Sequence, residues 1–252
     1  MGSFVKKYYG VAIIAVCLVG LYVLLTDGLH VLSEFLFPSL SVLPPLVPQY
    51  IGDLLNNLKS SLFLLIIAYG LAVVTAVAAG TLIGLKSGIR RNVTPYIYAF
   101  SAVPVPLLTP YAINVAPTMQ IASIFLIWLA AFWVILATTI GAVVSIDKRY
   151  LENAATLEMS SAEKLFKVVL PAASPGILTG CSVALTLSFM MLAVAEMFGA
   201  TSGLAYFVQY YADFARFDLV MVGFCFTAVV LVLIMIVFDL IKGRILHWTI
   251  NE

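Results

Sequence analysis

"NVTPYIYAFSAVPVPLLTPYAINVAPTMQIASIFLIWLAAFWVILATTIGAVVSI", residues 92–146, carries no charged side chain over 55 positions. A helix crosses the hydrocarbon core with about 20 apolar residues, so this run is too long for one span and long enough for two. Pro104, Pro106, Pro110, Asn114 and Pro117 interrupt it, and proline removes a backbone donor and clashes with the preceding turn. The stretch predicts membrane helices at residues 95–113 and 119–146 with a proline-broken region between them.

The rest of the chain has the same character. Of its 252 residues, 63% are hydrophobic and 10% charged, against roughly 45–50% and 25% in a soluble domain. Other charge-free runs predict spans at residues 8–26, 60–85, 172–198 and 218–241. The expected fold is an all-α membrane protein of six transmembrane helices in a single domain, residues 1–252. Lys6 and Lys7 precede the first apolar run as in a signal peptide, but no small-residue cleavage site follows, so the run is read as an uncleaved span. The proline-rich segment before residue 60 is expected to hold a short interfacial helix near residues 48–57.

Charge placement orients the bundle. Lys6, Lys7, Lys86, Arg90, Arg91, Lys148, Arg149, Lys164, Lys167, Lys242 and Arg244, 11 of the 13 basic residues, fall on the side of the termini, and only Lys59 and Arg216 on the other. Cytoplasmic loops carry the excess of Lys and Arg. A multi-pass protein of the cell (inner or plasma) membrane with both termini in the cytoplasm is expected.

Most chemistry is excluded. A net charge of +1 gives no sign of a nucleic-acid partner. Cys17, Cys181 and Cys225 are odd in number and lack metal-ligand spacing, and His30 and His247 stand alone. "GTLIGLKSG" misses the phosphate-loop spacing because Leu85 separates Gly84 from Lys86. No carboxylate lies at mid-span, where a proton-coupled carrier places one. Glu196 and Asp239 fall near span ends, close enough to an interface to be solvated. Glu196 is a candidate for the translocation path or its gate, with Met190 and Met191 on the fifth span and Pro104 and Pro106 in the proline-broken region. Ala72, Ala76, Gly80 and Gly84, and again Gly176, Gly180, Ala184 and Ser188, recur every four residues. Such small-residue stripes let backbones approach closely, either within one subunit or at a subunit interface or sliding face.

What remains is a bundle with no energy source of its own and one polar segment, "SIDKRYLENAATLEMSSAEKLFKVVLP", on its cytoplasmic side. Two short helices are expected there, near residues 148–157 and 162–169, the second capped by Ser160 and Ser161 with Glu163 in its first turn. They would form either a knob for a partner's groove or an amphipathic loop resting on headgroups.

"ENAATLEMSSAEKLFKVVLP" resembles the Glu-Ala-Ala signature of the membrane permease subunits of type I ATP-binding cassette importers. Glu152, Ala154, Leu170 and Pro171 match in type and spacing. "AEMFGATSGLAYFVQYYADFARFDLV" and "FLFPSLSVLPPLV" are similar to the nitrate, sulfonate and taurine branch. The resemblance implies an ATP-driven importer of a small solute, an anion such as nitrate, sulfonate or taurine; a stand-alone channel or proton-coupled secondary transporter is the alternative. It implies cytoplasmic ATPase subunits, which would carry the ATP and Mg that this chain has no motif for, a second permease subunit (homodimer or heterodimer), an extracytoplasmic solute-binding protein and surrounding lipid. Coupling to the ATPase would fall on Tyr150, Leu151, Glu152, Ala154, Ala155, Leu157, Glu158, Ser160, Leu165 and Phe166. The chain departs from the signature where Asn153 replaces the first alanine and Glu158 the glycine. An L-residue at positive φ costs about 1–2 kcal/mol, so the backbone either avoids that conformation or tolerates the cost. Glu158 also suggests Lys or Arg opposite it on the ATPase.

Overall fold

The computed structural model describes residues 16–248, which are helical throughout their regular structure. Helix α1, Val16–Gly28, is followed by α2, Leu43–Leu85, and α3, Ser87–Ser101. A 3₁₀ turn at Val105–Leu108 leads to α4, Thr109–Val115, and then to α5, Met119–Val144. Short helices α6, Lys148–Thr156, and α7, Ser161–Lys164, follow, and a π-helical stretch, Leu165–Val169, joins α7 to α8, Leu170–Gly199. Helices α9, Leu204–Asp213, and α10, Phe217–Ile245, complete the described chain.

Four of these helices are long and apolar enough to cross a membrane, and a fifth crossing results if the bent pair of α3 with the Val105–Val115 segment counts as one. The expected first span, residues 8–26, falls largely outside the described residues; its described part belongs to the 13-residue α1. Six spans are therefore not established among the described residues.

Two boundaries differ from expectation. The interfacial helix expected near residues 48–57 is continuous with the second span, giving α2 its 43 residues. Pro44 and Pro45 sit in the first turn, where N–H groups have no helical partner anyway, so Pro48 alone interrupts the ladder. The span expected over residues 95–113 is not one helix. Helix α3 starts earlier, at Ser87, and the chain turns by 77° before α4, with Pro104 extended, at ψ 115°, just before the 3₁₀ turn.

The core is α5 clasped between α2, running parallel to it, and α8, running antiparallel. A Cβ on Gly80 would lie 2.7 Å from the Cβ of Thr139, and one on Gly84 2.8 Å from that of Val143. On the other flank Gly176 meets Ala142, again at 2.7 Å, and Gly180 meets Thr138. Both small-residue stripes thus pack within the subunit. Polar ties add direction: the Tyr69 hydroxyl donates to the Cys181 carbonyl at 2.8 Å, and Trp128 Nε1 donates to Thr75 Oγ1 at 3.0 Å. Such interhelical bonds contribute about 1 kcal/mol each in a bilayer. At the end away from α6, Leu43, Leu54, Phe207 and Val222 form a smaller core joining α2, α9 and α10.

Gly80→Leu should push α2 off α5 and cost about 1–3 kcal/mol or more, read as a lower melting temperature in detergent. Gly52→Ala, in the same helix with nothing within 4 Å of the added carbon, should leave the melt unchanged or raise it.

Candidate functional site

The polar segment folds as a knob with two faces. Asp147 caps α6, its Oδ1 accepting from the Arg149 N–H at 2.9 Å while Oδ2 accepts from Arg149 Nε at 2.9 Å. The Arg149 guanidinium holds the Asp147 carboxyl below the usual carboxylate range. Ser160 and Glu163 form a reciprocal capping box on α7, with the Glu163 N–H donating to Ser160 Oγ at 3.3 Å and the Ser160 N–H to Glu163 Oε2 at 3.2 Å. Lys167 Nζ pairs with Glu163 Oε1 at 3.0 Å one turn later.

The bend between the helices has a defined chemistry. Glu158 stands at φ 50°. Its N–H donates to the Ala155 carbonyl at 3.0 Å and the Met159 N–H to the Ala154 carbonyl at 3.2 Å. That pair of bonds is the Schellman ending, in which the residue after the helix cap is left-handed and commonly glycine. Of the two outcomes left open for Glu158, the chain adopts the strained one.

Ala154 is buried, and Leu151 and Leu165 pack against the core of α2, α5 and α8. Tyr150, Leu157 and Phe166 point the other way, 59%, 68% and 67% exposed. Glu152, Ala155, Glu158 and Ser160 are also exposed. The ten residues therefore divide into anchors and an outward apolar surface with Glu158 at its bend.

The pathway candidates separate as well. Pro104, Pro106, Met190 and Met191 line one open cleft of about 810 Å³, together with Ser101, Trp133 and Thr138, and no charged residue lines it. Phe100 stacks on Trp133 with ring centroids 6.1 Å apart. Glu196 is not on this cleft, and it is not solvated as expected but 1% exposed. Its Oε1 accepts from the Ser61 hydroxyl and its Oε2 from the Ala205 N–H at 2.9 Å. Ser61 Oγ accepts from the Leu204 N–H at 2.9 Å, and Asn57 Oδ1 from the Gly203 N–H at 2.8 Å. The carboxylate thus caps the first turn of α9, where the helix dipole favours negative charge, and ties that helix to α2 and α8. Gly203, at φ 135°, is needed there because any Cβ would run into the Glu196 carboxylate. Ser61, Asn57 and Gly203 were not recognisable as partners from sequence, since 135 residues separate Ser61 from Glu196.

Long apolar helices packed about α5, with a polar knob between two of them anchored to that core, define a helical membrane bundle that carries a folded element in one of its loops. The family model described as "Binding-protein-dependent transport system inner membrane component" matches residues 72–249. The taurine transport system permease protein TauC of Escherichia coli is 30% identical over 220 residues, 85% of this chain and 80% of that protein. The putative aliphatic sulfonates transport permease protein SsuC of Bacillus subtilis is 27% identical over 223 residues, 88% and 81% respectively. Among solved structures, an inward-facing MetNI methionine ABC transporter superposes with a TM-score of 0.69 at 17% identity over 78% of this chain and 98% of that one, which shows the shared fold. The chain belongs to the family of inner membrane components of binding-protein-dependent transport systems. It is a multi-pass permease subunit of an ATP-binding cassette importer, in the branch of the taurine and sulfonate permeases, and not an enzyme.

Glu158→Gly should relieve the left-handed strain and slow amide exchange of Met159 by about fivefold, equivalent to about 1 kcal/mol; Glu158→Val should speed it. Glu196→Ala should strand the Ser61 hydroxyl and the Ala205 N–H, costing about 1–3 kcal/mol, with faster exchange at Ala205 and a lower melting temperature; Glu196→Gln, which keeps one acceptor, should lose less.

Proposed function

We propose that this permease carries a small sulfonate-type oxyanion into the cell, energised by a cytoplasmic ATPase that docks on the α6–α7 knob. The observation that carries this reading is the division of the knob. Leu151, Ala154 and Leu165 fasten it to the helical core, while Tyr150, Leu157 and Phe166 present an apolar surface left uncovered among the described residues. Aromatic and large apolar side chains at the centre of an interface supply most of its binding energy. ATP and Mg would be held by the ATPase, to which Glu158 offers a carboxylate that a Lys or Arg would meet. A second permease subunit would complete the pathway along the cleft, and a solute-binding protein would deliver the anion from the side opposite the knob. The charge bias of 11 basic residues against two supports cytoplasmic termini. The substrate class rests on the relatives, whose names specify taurine and aliphatic sulfonates, both of which carry a sulfonate group.

In proteoliposomes holding the permease, its ATPase and its binding protein, labelled taurine should accumulate only with ATP on the ATPase side. Uptake that follows a proton gradient and ignores ATP would overturn the importer reading. Leu157→Ala or Phe166→Ala should each reduce ATPase co-purification about tenfold or more, at an interface cost of about 1.4–2 kcal/mol, without changing the permease melt. Glu158→Lys should weaken assembly further, and assembly unchanged with both Lys and Gly at 158 would exclude a basic partner there.

A further inference from the structure

A second cavity lies beside the apolar cleft on the same two helices. Ala130, Val134, Ala137, Gly141 and Val144 recur every three or four residues down one face of α5, and Ser87, Arg91, Thr94, Tyr98 and Ser101 do the same on α3. The upper parts of both stripes line the apolar cleft, and the lower parts line a second open cavity of about 790 Å³ toward the knob. The two cavities lie one after the other along the same faces of α3 and α5, a groove in two parts.

Among the described residues, Arg90 and Arg91 are the only charged ones lining either cavity. Arg90 Nη1 donates to the Gly84 carbonyl at 2.7 Å, which fixes the guanidinium at the groove and leaves its other N–H groups available. Arg91 lies on the α3 stripe itself and is exposed. Among the described residues neither arginine has a carboxylate partner, the ion pairs being His30 with Glu34, Arg149 with Asp147, Lys167 with Glu163 and Arg216 with Asp218. A guanidinium presents a planar fork of donors that matches two oxygens of a sulfonate, nitrate or phosphate group. Two of them, unneutralised beside an uncharged cleft, concentrate positive potential at one end of the groove.

We propose that Arg90 and Arg91 form an oxyanion-binding site at the mouth of the groove nearest the knob, taking the acidic group of a small solute or the phosphate of a neighbouring lipid. The assignment of this groove as the translocation surface rests on the proposed function. The oxyanion chemistry of the two arginines does not.

The test is arginine labelling of the purified full chain in phosphatidylcholine nanodiscs, with phenylglyoxal as reagent and mass spectrometry reading Arg90, Arg91 and Arg244. Arg244, in the last turn of α10 and outside the groove, reports general screening. For a dissociation constant on the order of 10 mM, ~50 mM methanesulfonate should slow labelling of Arg91 about sixfold by mass action, with chloride at equal ionic strength doing far less. Protection that appears instead when phosphatidylglycerol replaces part of the phosphatidylcholine identifies lipid phosphate as the occupant of the same site. Arg91→Gln should abolish protection of Arg90, and Arg91→Lys should keep part of it. Equal labelling of Arg90 and Arg91 in methanesulfonate, chloride and phosphatidylglycerol, or protection of Arg244 to the same degree, overturns the site. That result would leave ATP-driven taurine uptake untouched, so the site and the importer reading fail separately.

Discussion

Helix α5 is held between α2 and α8 at four glycines, and the closeness of those contacts governs the rest of the molecule. In lipid the side chains of neighbouring helices gain little by leaving their surroundings, so association depends on packing and on how near the backbones come. Gly80 and Gly84 admit Thr139 and Val143 from one side, and Gly176 and Gly180 admit Ala142 and Thr138 from the other. All eight residues lie in the half of the bundle nearest the knob. It is also the half to which Leu151 and Leu165 are fastened.

The second consequence runs lengthwise. From Ser161 to Gly199 the chain is one helical rod of 39 residues, about 58 Å at 1.5 Å per residue. Phe166 on the outward face of the knob, Met190 and Met191 on the cleft, and Glu196 at the cap of α9 all ride on it. The π-helical turn at Leu165–Val169 and Pro175 inside α8 both interrupt its ladder near the knob, and both are places where a helix accommodates a change of direction. In the proposed assembly, a displacement imposed at Phe166 would be carried along this helix past α5 to the cleft and on to α9, without requiring a separate relay of side chains.

The sequence made some of this plain and hid the rest for physical reasons. Apolar length reports how much chain can sit in hydrocarbon, and the apolar runs at residues 119–146, 172–198 and 218–241 fall on helices α5, α8 and α10. The knob was readable because caps are local: Ser160 and Glu163 lie three positions apart, and their reciprocal bonds need nothing from elsewhere. Proline was read too strongly at residues 44–48, where a first turn accommodates it, and its effect at residue 104 was recognised as a break without its 77° turn. The capping of α9 by Glu196 could not be read at all. It depends on Ser61 and Asn57 arriving from another helix, and a carboxylate near a span end looks the same in sequence whether it faces water or a ring of buried donors. Nor did the two arginines declare themselves, because they count equally as cytoplasmic charges until α3 is seen to turn one of them onto the face it shares with α5.

Glu158 shows how local geometry and partner chemistry can be separated. The α9 helix ends in the same way, with the Arg216 N–H bonded to the Tyr211 carbonyl, the Ala215 N–H to the Ala212 carbonyl, and Ala215 at φ 56°. Two Schellman endings in one chain are therefore closed by residues other than glycine, each at a cost of about 1–2 kcal/mol. Such a cost persists when the surroundings over-determine the turn. At Glu158 they do so from both sides, with two bonds back into α6 and the Ser160–Glu163 capping box one residue beyond Met159. The turn is thus fixed by its neighbours, and the side chain at its apex is free to be chosen for what it faces. Among the described residues the exposed carboxylate there has no ion-pair partner, and in the proposed assembly the gain that offsets its strain would come at the surface where the ATPase docks.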